Sequence, residues 1–467
     1  MKPFFAIVGL TLKNALRSHV FQLLLLLLLL CVGIIPFSIG GGSAQDFVRV
    51  SLLYSIWAIV LILALSSLWL GCFVMTHDVD SYQIHMVVTN PVSRVVVWLG
   101  KWCGINLINF TLLLISLAAV YFIVMYRYKS DDRFTSADRQ RIADEVLVGR
   151  RVFLPRRPNF HKIAQTALLE KIRQSGRQFS REEQDKLFME LLQQAAAADS
   201  ELAAGQTKGW VFENLPDIGA RPLFLRYRPY LGKIASEDQR LTYVQWVVMR
   251  PGGEARLPSG ERVAATEWPQ LLSEAPEQIF SGAFYEKVIP AEWKVITPDR
   301  KVRLMVINAD RFKDKHYYQP ADGPKLLLRV CGFEGNYLRM TVVIMLQLAL
   351  LSALACACGG FLTMPTAVFV VVSYLLLGSF STLLTDQSFF VSTAWDHLGQ
   401  ALAKLLLIVV IPLQAFDVTE LLSTGELIEY SLMLKLFLQY FIFRGMPLFI
   451  FGIWMYRRRE LGLAVRK

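Results

Sequence analysis

Long apolar runs constrain this chain more than any other feature of its sequence. A helix needs about 20 apolar residues to cross a bilayer core of about 30 Å. Hydrophobic residues make up 54% of the 467 residues and charged residues only 19%, a balance too apolar for a soluble protein. The sequence therefore predicts an α-helical polytopic membrane protein, and the runs that would form its transmembrane helices are 20–37, 52–75, 95–125, 340–358, 361–384 and 434–456.

The segment before the first run has the pattern of a helix lying in the membrane interface. Its apolar residues recur at helical spacing and two basic residues follow them: Phe4, Ile7, Val8, Leu12, Lys13 and Arg17. An early start of the first span is the alternative interpretation.

Basic residues set the predicted orientation. The amino terminus and the carboxy-terminal YRRRELGLAVRK are both rich in Lys and Arg, which places both termini in the cytoplasm and requires an even number of spans. The apolar core of 401–416 is interrupted by Lys404 and Pro412, so 398–416 is predicted to be a re-entrant segment on the outer side. The chain is then expected in the inner (cytoplasmic) membrane, with 127–335 facing outward.

The outward region predicts an α+β extracytoplasmic domain in two parts. Residues 127–208 have helical periodicity, with Gly176 and Gly205 as stops and a capping box formed by Ser180 and Glu183. Residues 209–335 carry short alternating runs separated by turn residues, which predicts a β-sandwich-like part. Its Tyr318, next to Tyr317, could stack on a sugar ring or pack in a core.

Sequence motifs for catalysis are absent from this chain. It contains no GxxxxGK[ST] phosphate loop, no HExxH and no GxSxG, so we expect no enzymatic activity, no catalytic residue and no cofactor in this chain. The spacing of His77 and His85 matches no standard metal site. The net charge of +11 comes without a basic stripe interleaved with aromatic residues, which argues against nucleic-acid binding.

Small and charged residues inside the runs invite structural interpretations. Cys356 and Cys358 precede two glycines, and this sequence predicts close helix packing at a tight turn and not redox chemistry. The six cysteines imply no disulfide framework. Arg444 lies inside the last run, where it either faces protein or water or extends its side chain toward an interface.

A polar stretch of 77–101 separates the second and third runs. It predicts a short cytoplasmic helix that begins near Asp78 and Ser81 and is broken at Pro91. Arg94 and Lys101 then fall at the positive boundary of the next span. The residues alone also allow an ordinary connecting loop.

The stretch DVDSYQIHMVVTNPVSRVVVWLGK resembles the signature of ABC-2-type transporter permeases. The matching positions are Asp80, Ser81, Thr89, Pro91, Val92, Ser93, Arg94, Gly100 and Lys101. The carboxy-terminal IPLQAFDVTE and the final YRRREL are similar to the family as well, so the resemblance covers 1–126 and 336–467. The large insert between them departs from many such permeases, and Ser81 and Tyr82 stand where the family often has glycine and threonine.

The resemblance implies that the chain is the permease subunit of an exporter. A separate ABC ATPase subunit would bind ATP and Mg and drive transport. The residues that the resemblance assigns to ATPase coupling are Asp78, Asp80, Ser81, Tyr82, Thr89, Pro91, Ser93, Arg94 and Lys101. Further expected partners are a second permease subunit in a homo- or heterodimer, membrane lipid, and a partner of the outer domain. The competing hypothesis is a membrane-anchored binding or envelope-assembly protein, including one that transmits force without moving a solute.

Overall fold

Two compact units make up the chain. The computed structural model describes residues 2–17, 19–38, 43–80, 92–176, 179–232, 241–252, 254–256, 262–264, 267–310, 314–319, 322–386, 399 and 410–458. The helical unit comprises Met1–Gly149 and Cys331–Lys467, and the sheet unit comprises Arg150–Val330. The prediction drew the corresponding boundaries at 127 and 335, where the apolar runs end.

Helices dominate the first unit. In chain order the described helices of the whole chain are α1 (Lys2–Arg17), α2 (His19–Ser38), α3 (Ala44–Asp80), α4 (Arg94–Ser130), α5 (Ser136–Glu145), α6 (Phe160–Ser175), α7 (Arg181–Ser200), α8 (Phe333–Phe361), α9 (Met364–Asp386), α10 (Thr419–Ser423) and α11 (Tyr430–Arg458). Helix α11 contains a π-helical stretch, Leu436–Gly445, between its α-helical ends.

Four described helices are long and apolar enough to cross a membrane: Ala44–His77, Arg94–Ser130, Phe333–Phe361 and Tyr430–Arg458. A fifth span results if Pro3–Arg17 and Phe21–Pro36, which meet at 65°, form one broken span. Met364–Ser379 is a shorter apolar helix. The structure thus supports a membrane protein with an additional domain, and the count of six spans stays a prediction.

Helix α8 is the central helix of the helical unit. In its apolar window 83% of residues are buried, against 44% for α4 and 22% for α11. Its small side chains, among them Ala353, Ala355 and Ala357, allow neighbouring helices to approach closely. Helices α3 and α11 both pack against α8.

The amino-terminal part of the sheet unit is mainly a pair of helices. As predicted, α6 ends at Gly176, which adopts the left-handed backbone conformation with φ of 60°. Ser180 and Glu183 form the predicted capping box at the start of α7. The prediction of helix throughout 127–208 is wrong at Val148–Phe153, which forms strand β1. It is also wrong after Ser200, where α7 ends before the predicted stop at Gly205 and the strands Glu201–Leu202 and Thr207–Phe212 follow. Strand β1 is rich in valine and pairs with the distant last strand, a contact that local periodicity does not encode.

Strands form the rest of the sheet unit, as predicted. After β1 they are β2 (Glu201–Leu202), β3 (Thr207–Phe212), β4 (Leu223–Tyr227), β5 (Tyr230–Leu231), β6 (Leu241–Pro251), β7 (Glu254–Arg256), β8 (Arg262–Ala264), β9 (Glu267–Leu271), β10 (Glu277–Phe280), β11 (Tyr285–Ile289), β12 (Val302–Asn308), β13 (His316–Tyr317) and β14 (Lys325–Gly332). The two larger sheets have the orders β1-β14-β4-β11 and β10-β6-β12-β3, and β9 pairs with β6.

Both larger sheets contribute to a single aromatic core. Trp246 lies 4.9 Å from Tyr227 and 5.6 Å from Trp210, measured between ring centroids. Tyr318 is buried in the same cluster, so the packing interpretation of this residue is confirmed. Tyr317 packs against Gly232, where an added Cβ would lie 2.8 Å from the Tyr317 ring.

Candidate coupling site at one end of the helical unit

Only part of the predicted coupling stretch falls within the described residues. Asp78 and Asp80 lie in the last turn of α3, and Ser93, Arg94 and Lys101 are at the start of α4. The other predicted coupling residues lie outside the described residues: Ser81, Tyr82, Thr89 and Pro91.

Ser93 caps α4 and Arg94 is its first residue, directly before the apolar run predicted from residue 95. Ser93 is the N-cap, with φ of −67° and ψ of 142°, and its Oγ accepts a hydrogen bond from the Val96 amide at 3.4 Å. An N-cap hydroxyl satisfies an amide that the helix itself leaves unpaired. The capping serine fixes the residue at which α4 begins.

Arg94 joins the start of α4 to the end of α11. Its Nη1 donates to the Arg457 carbonyl at 2.7 Å. Carbonyl groups in the last turn of a helix lack helical partners and carry partial negative charge, so a guanidinium group there is stabilising. The first turn of α4 and the arginine-rich end of the last helix therefore lie together.

Lys101 lies inside the helical unit and not on its surface. Its side chain is buried, and Nζ donates to the Val74 carbonyl of α3 at 2.8 Å. A buried ammonium group needs such an oxygen partner, because its desolvation is costly. Lys101 thus connects α4 to α3 next to the predicted coupling stretch, which suits a positioning residue better than a docking contact.

Two glycines of α4, one helical turn apart, allow α1 to pack closely against α4. A Cβ added to Gly100 would lie 2.9 Å from Ile7, and one added to Gly104 would lie 2.8 Å from Thr11. Glycine at i and i+4 allows this close helix approach. The sequence analysis did not use this signal, although Gly-x-x-x-Gly is visible in GKWCG.

Small residues pack α8 against α3 and α11 at the same end. An added Cβ at Gly359 would lie 2.9 Å from the Cys72 carbonyl oxygen, and one at Gly452 would lie 2.6 Å from the Ala357 Cβ. Helix α8 ends two residues later, at Phe361, and α9 begins at Met364. The predicted close packing at a tight turn is confirmed.

These contacts define the base end of the helical unit: Val74 on α3, Arg94 and Lys101 on α4, Gly359 on α8 and Arg457 on α11. The opposite ends meet elsewhere, where the Tyr337 hydroxyl donates to the Leu117 carbonyl at 2.7 Å. The end of α3 and the start of α4, between which most of the permease-like motif lies in the sequence, are therefore both at the base end.

Polar side chains link α3, α4 and α8 farther inside the unit. Asn109 Nδ2 donates to Ser67 Oγ at 2.8 Å, and Ser352 Oγ donates to Asn106 Oδ1 at 3.2 Å. Hydrogen bonds of this kind hold apolar helices in a defined register. Sequence analysis missed them, because single Asn and Ser residues in long apolar runs carry no periodic signal.

Arg444 faces a protein oxygen. It lies in the π-helical stretch of α11, and its Nη1 donates to the Val410 carbonyl at 2.7 Å. Its guanidinium carbon also lies 5.2 Å from the Tyr440 ring centroid. Of the two sequence interpretations, the structure supports the one in which Arg444 faces protein.

Residues 410–416 of the predicted re-entrant segment are described and hold a 3-10 turn, Leu413–Phe416. The rest of that segment, 398–409, lies outside the described residues apart from Gly399.

A chain that has both apolar helices of spanning length and a sheet-rich unit belongs to the class of membrane proteins with an additional domain. No family model, curated protein or solved structure matches the chain. Among the described residues, no group of three or more His, Cys, Asp or Glu side chains could hold a metal ion.

Proposed function

We propose that this chain is the permease subunit of an ABC-2-type transporter, which couples ATP hydrolysis on a separate ATPase subunit to substrate movement across the membrane. The observation that carries the proposal is the base end. There the motif-bearing connection joins two helices that are tied to each other and to α1 and α11.

A force applied to this connection would reach several helices at once. The Lys101 contact with Val74 links α3 to α4, and the Arg94 contact with Arg457 links α4 to α11. Tight glycine contacts add α1 and α8. Closely packed helices move as rigid bodies, so closure of two ATPase subunits around ATP would tilt these helices together and open a path between two permease subunits.

The coupling surface is tested with the full chain and the ABC ATPase that the proposal expects to co-purify with it. Asp80→Asn and Arg94→Gln are expected to abolish stimulation of ATP hydrolysis while leaving membrane insertion intact. Lys129→Gln is the matched control, because Lys129 is an exposed cation in the last turn of the same helix. Wild-type stimulation in both variants would rule out this surface.

Sidedness provides a second test. Cysteine introduced by Arg458→Cys at the end of α11 should react with an impermeant maleimide only after cells are opened, whereas Gln174→Cys on α6 should react in intact cells. A chain without its native cysteines supplies the background. Labelling at position 458 in intact cells would place the base end on the side without ATP and overturn the proposal.

A membrane-anchored binding or envelope-assembly protein is the second candidate. It is favoured by the sheet unit, which has its own apolar core and is therefore a domain in its own right. Affinity purification of the full chain from detergent separates the transporter from a binding or assembly protein that works without an ATPase, because the transporter requires an ATPase partner. A protein that transmits force to a partner of the sheet unit would still bind the ATPase but would transport no solute.

A further inference from the structure

A pocket in the sheet unit lies between two connections of the chain. It has a volume of about 380 Å³ and is lined by Pro216, Asp217, Ile218, Gly219, Ala291, Lys294, Ile296 and Arg300. One wall follows β3 and precedes β4, and the other lies between β11 and β12. None of the predicted coupling residues lines the pocket.

Left-handed backbone is concentrated at this pocket. Among the described residues, the non-glycine positions with positive φ are Asn214 at 59°, Lys294 at 46° and Arg300 at 56°. Lysine and arginine adopt this conformation at a cost, and such positions cluster where a ligand is held. All three lie in or next to the pocket wall.

Hydrogen bonds hold both walls in place. The Leu215 amide donates to the Arg300 carbonyl at 3.1 Å and so joins one wall to the other. Arg221 Nε donates to the Ile218 carbonyl at 3.1 Å and its Nη2 to the Asp217 carbonyl at 3.2 Å. The strained backbone is therefore part of a built site and not of a free loop.

The side chains of Lys294 and Arg300 are available to a ligand. Within the described part of the chain, neither cation has a hydrogen-bond or ion-pair partner. The neighbouring carboxylate of Glu213 is already shared by Arg156 and Lys301, each at 3.2 Å. Asp217 Oδ1 accepts the Gly219 amide at 3.0 Å, which engages this carboxylate within its own turn.

We propose that this pocket binds a phosphate monoester, with Lys294 and Arg300 contacting the phosphate oxygens. Hydrogen bonds from cationic donors to phosphate oxygens are strong, and a guanidinium group can supply two of them. The apolar side chains of Pro216, Ile218, Ala291 and Ile296 would contact the esterified group. A free phosphate ester and the head group of a phosphatidic acid share this chemistry.

The test measures binding to the full chain in phosphatidylcholine nanodiscs by titration calorimetry. The probes are inorganic phosphate, glycerol 3-phosphate, and vesicles with or without phosphatidic acid. Lys294→Asn and Arg300→Asn remove the cation while keeping a residue that tolerates left-handed backbone. Each should weaken binding about tenfold or more. Lys171→Asn on α6, which does not line the pocket, should bind as the wild type does.

The probes distinguish the source of the ligand. Binding of glycerol 3-phosphate supports a soluble ester, and binding confined to phosphatidic-acid vesicles supports a lipid. The proposal is overturned if the wild type binds none of the probes, or if Lys294→Asn and Arg300→Asn bind as tightly as Lys171→Asn. No ATPase is present, so the result is independent of the proposed transport function.

Discussion

The helical unit and the sheet unit are stabilised by different kinds of contact. In the helical unit, glycine and alanine bring helices together, and charged side chains donate to carbonyl groups of neighbouring helices, as Lys101 and Arg94 do. In the sheet unit, large aromatic rings fill the core and charged side chains pair with each other. Large aromatic side chains thus fill the core of the sheet unit, whereas the closest helix contacts of the helical unit depend on small side chains.

Glu286 illustrates the second kind of contact. It lies buried between Arg150 and Arg226, with Glu286 oxygens 2.7 Å from Arg150 and 2.5 Å from Arg226. Burial alone would raise the pKa of Glu286, but the guanidinium groups of Arg226 and Arg150 outweigh burial and hold the pKa below its ordinary value. A buried carboxylate with these partners stays ionised and fixes the register of its strands.

The largest expected effect comes from removing volume from the sheet core. Trp246 is almost fully buried, so Trp246→Ala should destabilise the sheet unit by about 3–5 kcal/mol. Limited proteolysis of the full chain should then cut within 150–330 and leave the helical unit intact. Trp268→Ala is the matched control, since Trp268 is 40% exposed. Equal protease resistance of the Trp246 variant and the wild type would contradict the role given to aromatic volume.

The next effect is a pH dependence confined to the sheet unit. His316 is buried with its Nε2 2.6 Å from Thr242 Oγ1, and Thr242 Oγ1 also lies 3.1 Å from Asp310. Burial lowers the pKa of His316 to about 4, although Asp310 and Asp314 act in the opposite direction. In the unfolded chain a histidine has a pKa of about 6.5.

Between these values the unfolded chain binds a proton that the folded chain does not, so acidification favours unfolding. We expect a loss of about 2–3 kcal/mol as pH falls from 6.5 to 4, with no further loss from this residue below pH 4. His316→Gln should remove this contribution. The measurement compares melting temperatures of the full chain at pH 7 and pH 4.5, followed by tryptophan fluorescence. An identical drop in variant and wild type would assign the acid sensitivity to other groups.

Adding side-chain volume at a helix contact should destabilise the helical unit, whereas removing side-chain volume should destabilise the sheet unit. Gly359→Ala would place a Cβ 2.9 Å from the Cys72 carbonyl oxygen and 3.0 Å from its Cα. Both atoms belong to backbone, so α3 and α8 must separate at a cost of about 1–3 kcal/mol. Thermal unfolding in detergent and reactivity of the buried Cys356 thiol measure this change. Gly33→Ala is the control, because a Cβ at Gly33 meets nothing within 4 Å; similar melting of the two variants would contradict the packing account.

Local sequence signals predicted much of this fold, and contacts between distant residues account for the rest. The start of α4 at Ser93 and the capping box of α7 were predictable, because each cap lies within four residues of its partner. Strand β1 was missed, because Arg150 pairs with Glu286, which is 136 residues away. Lys101 was predicted at the boundary of a span, but it is buried within α4, because its partner, the Val74 carbonyl, lies on another helix.

The smallest expected effect comes from a helix cap, which is part of neither unit's hydrophobic core. Ser180→Ala removes the hydroxyl that accepts the Glu183 amide at 3.3 Å and should cost about 1 kcal/mol. Hydrogen exchange should show faster exchange of the Glu183 amide and little change elsewhere, because the cap acts on the first turn of α7. Ser175→Ala, at the end of α6, is the control: its hydroxyl donates to the Ile172 carbonyl and caps no amide. The cap depends on one hydroxyl group and not on side-chain volume. Faster amide exchange throughout the strands would therefore show that α7 and the aromatic core form one cooperative structure.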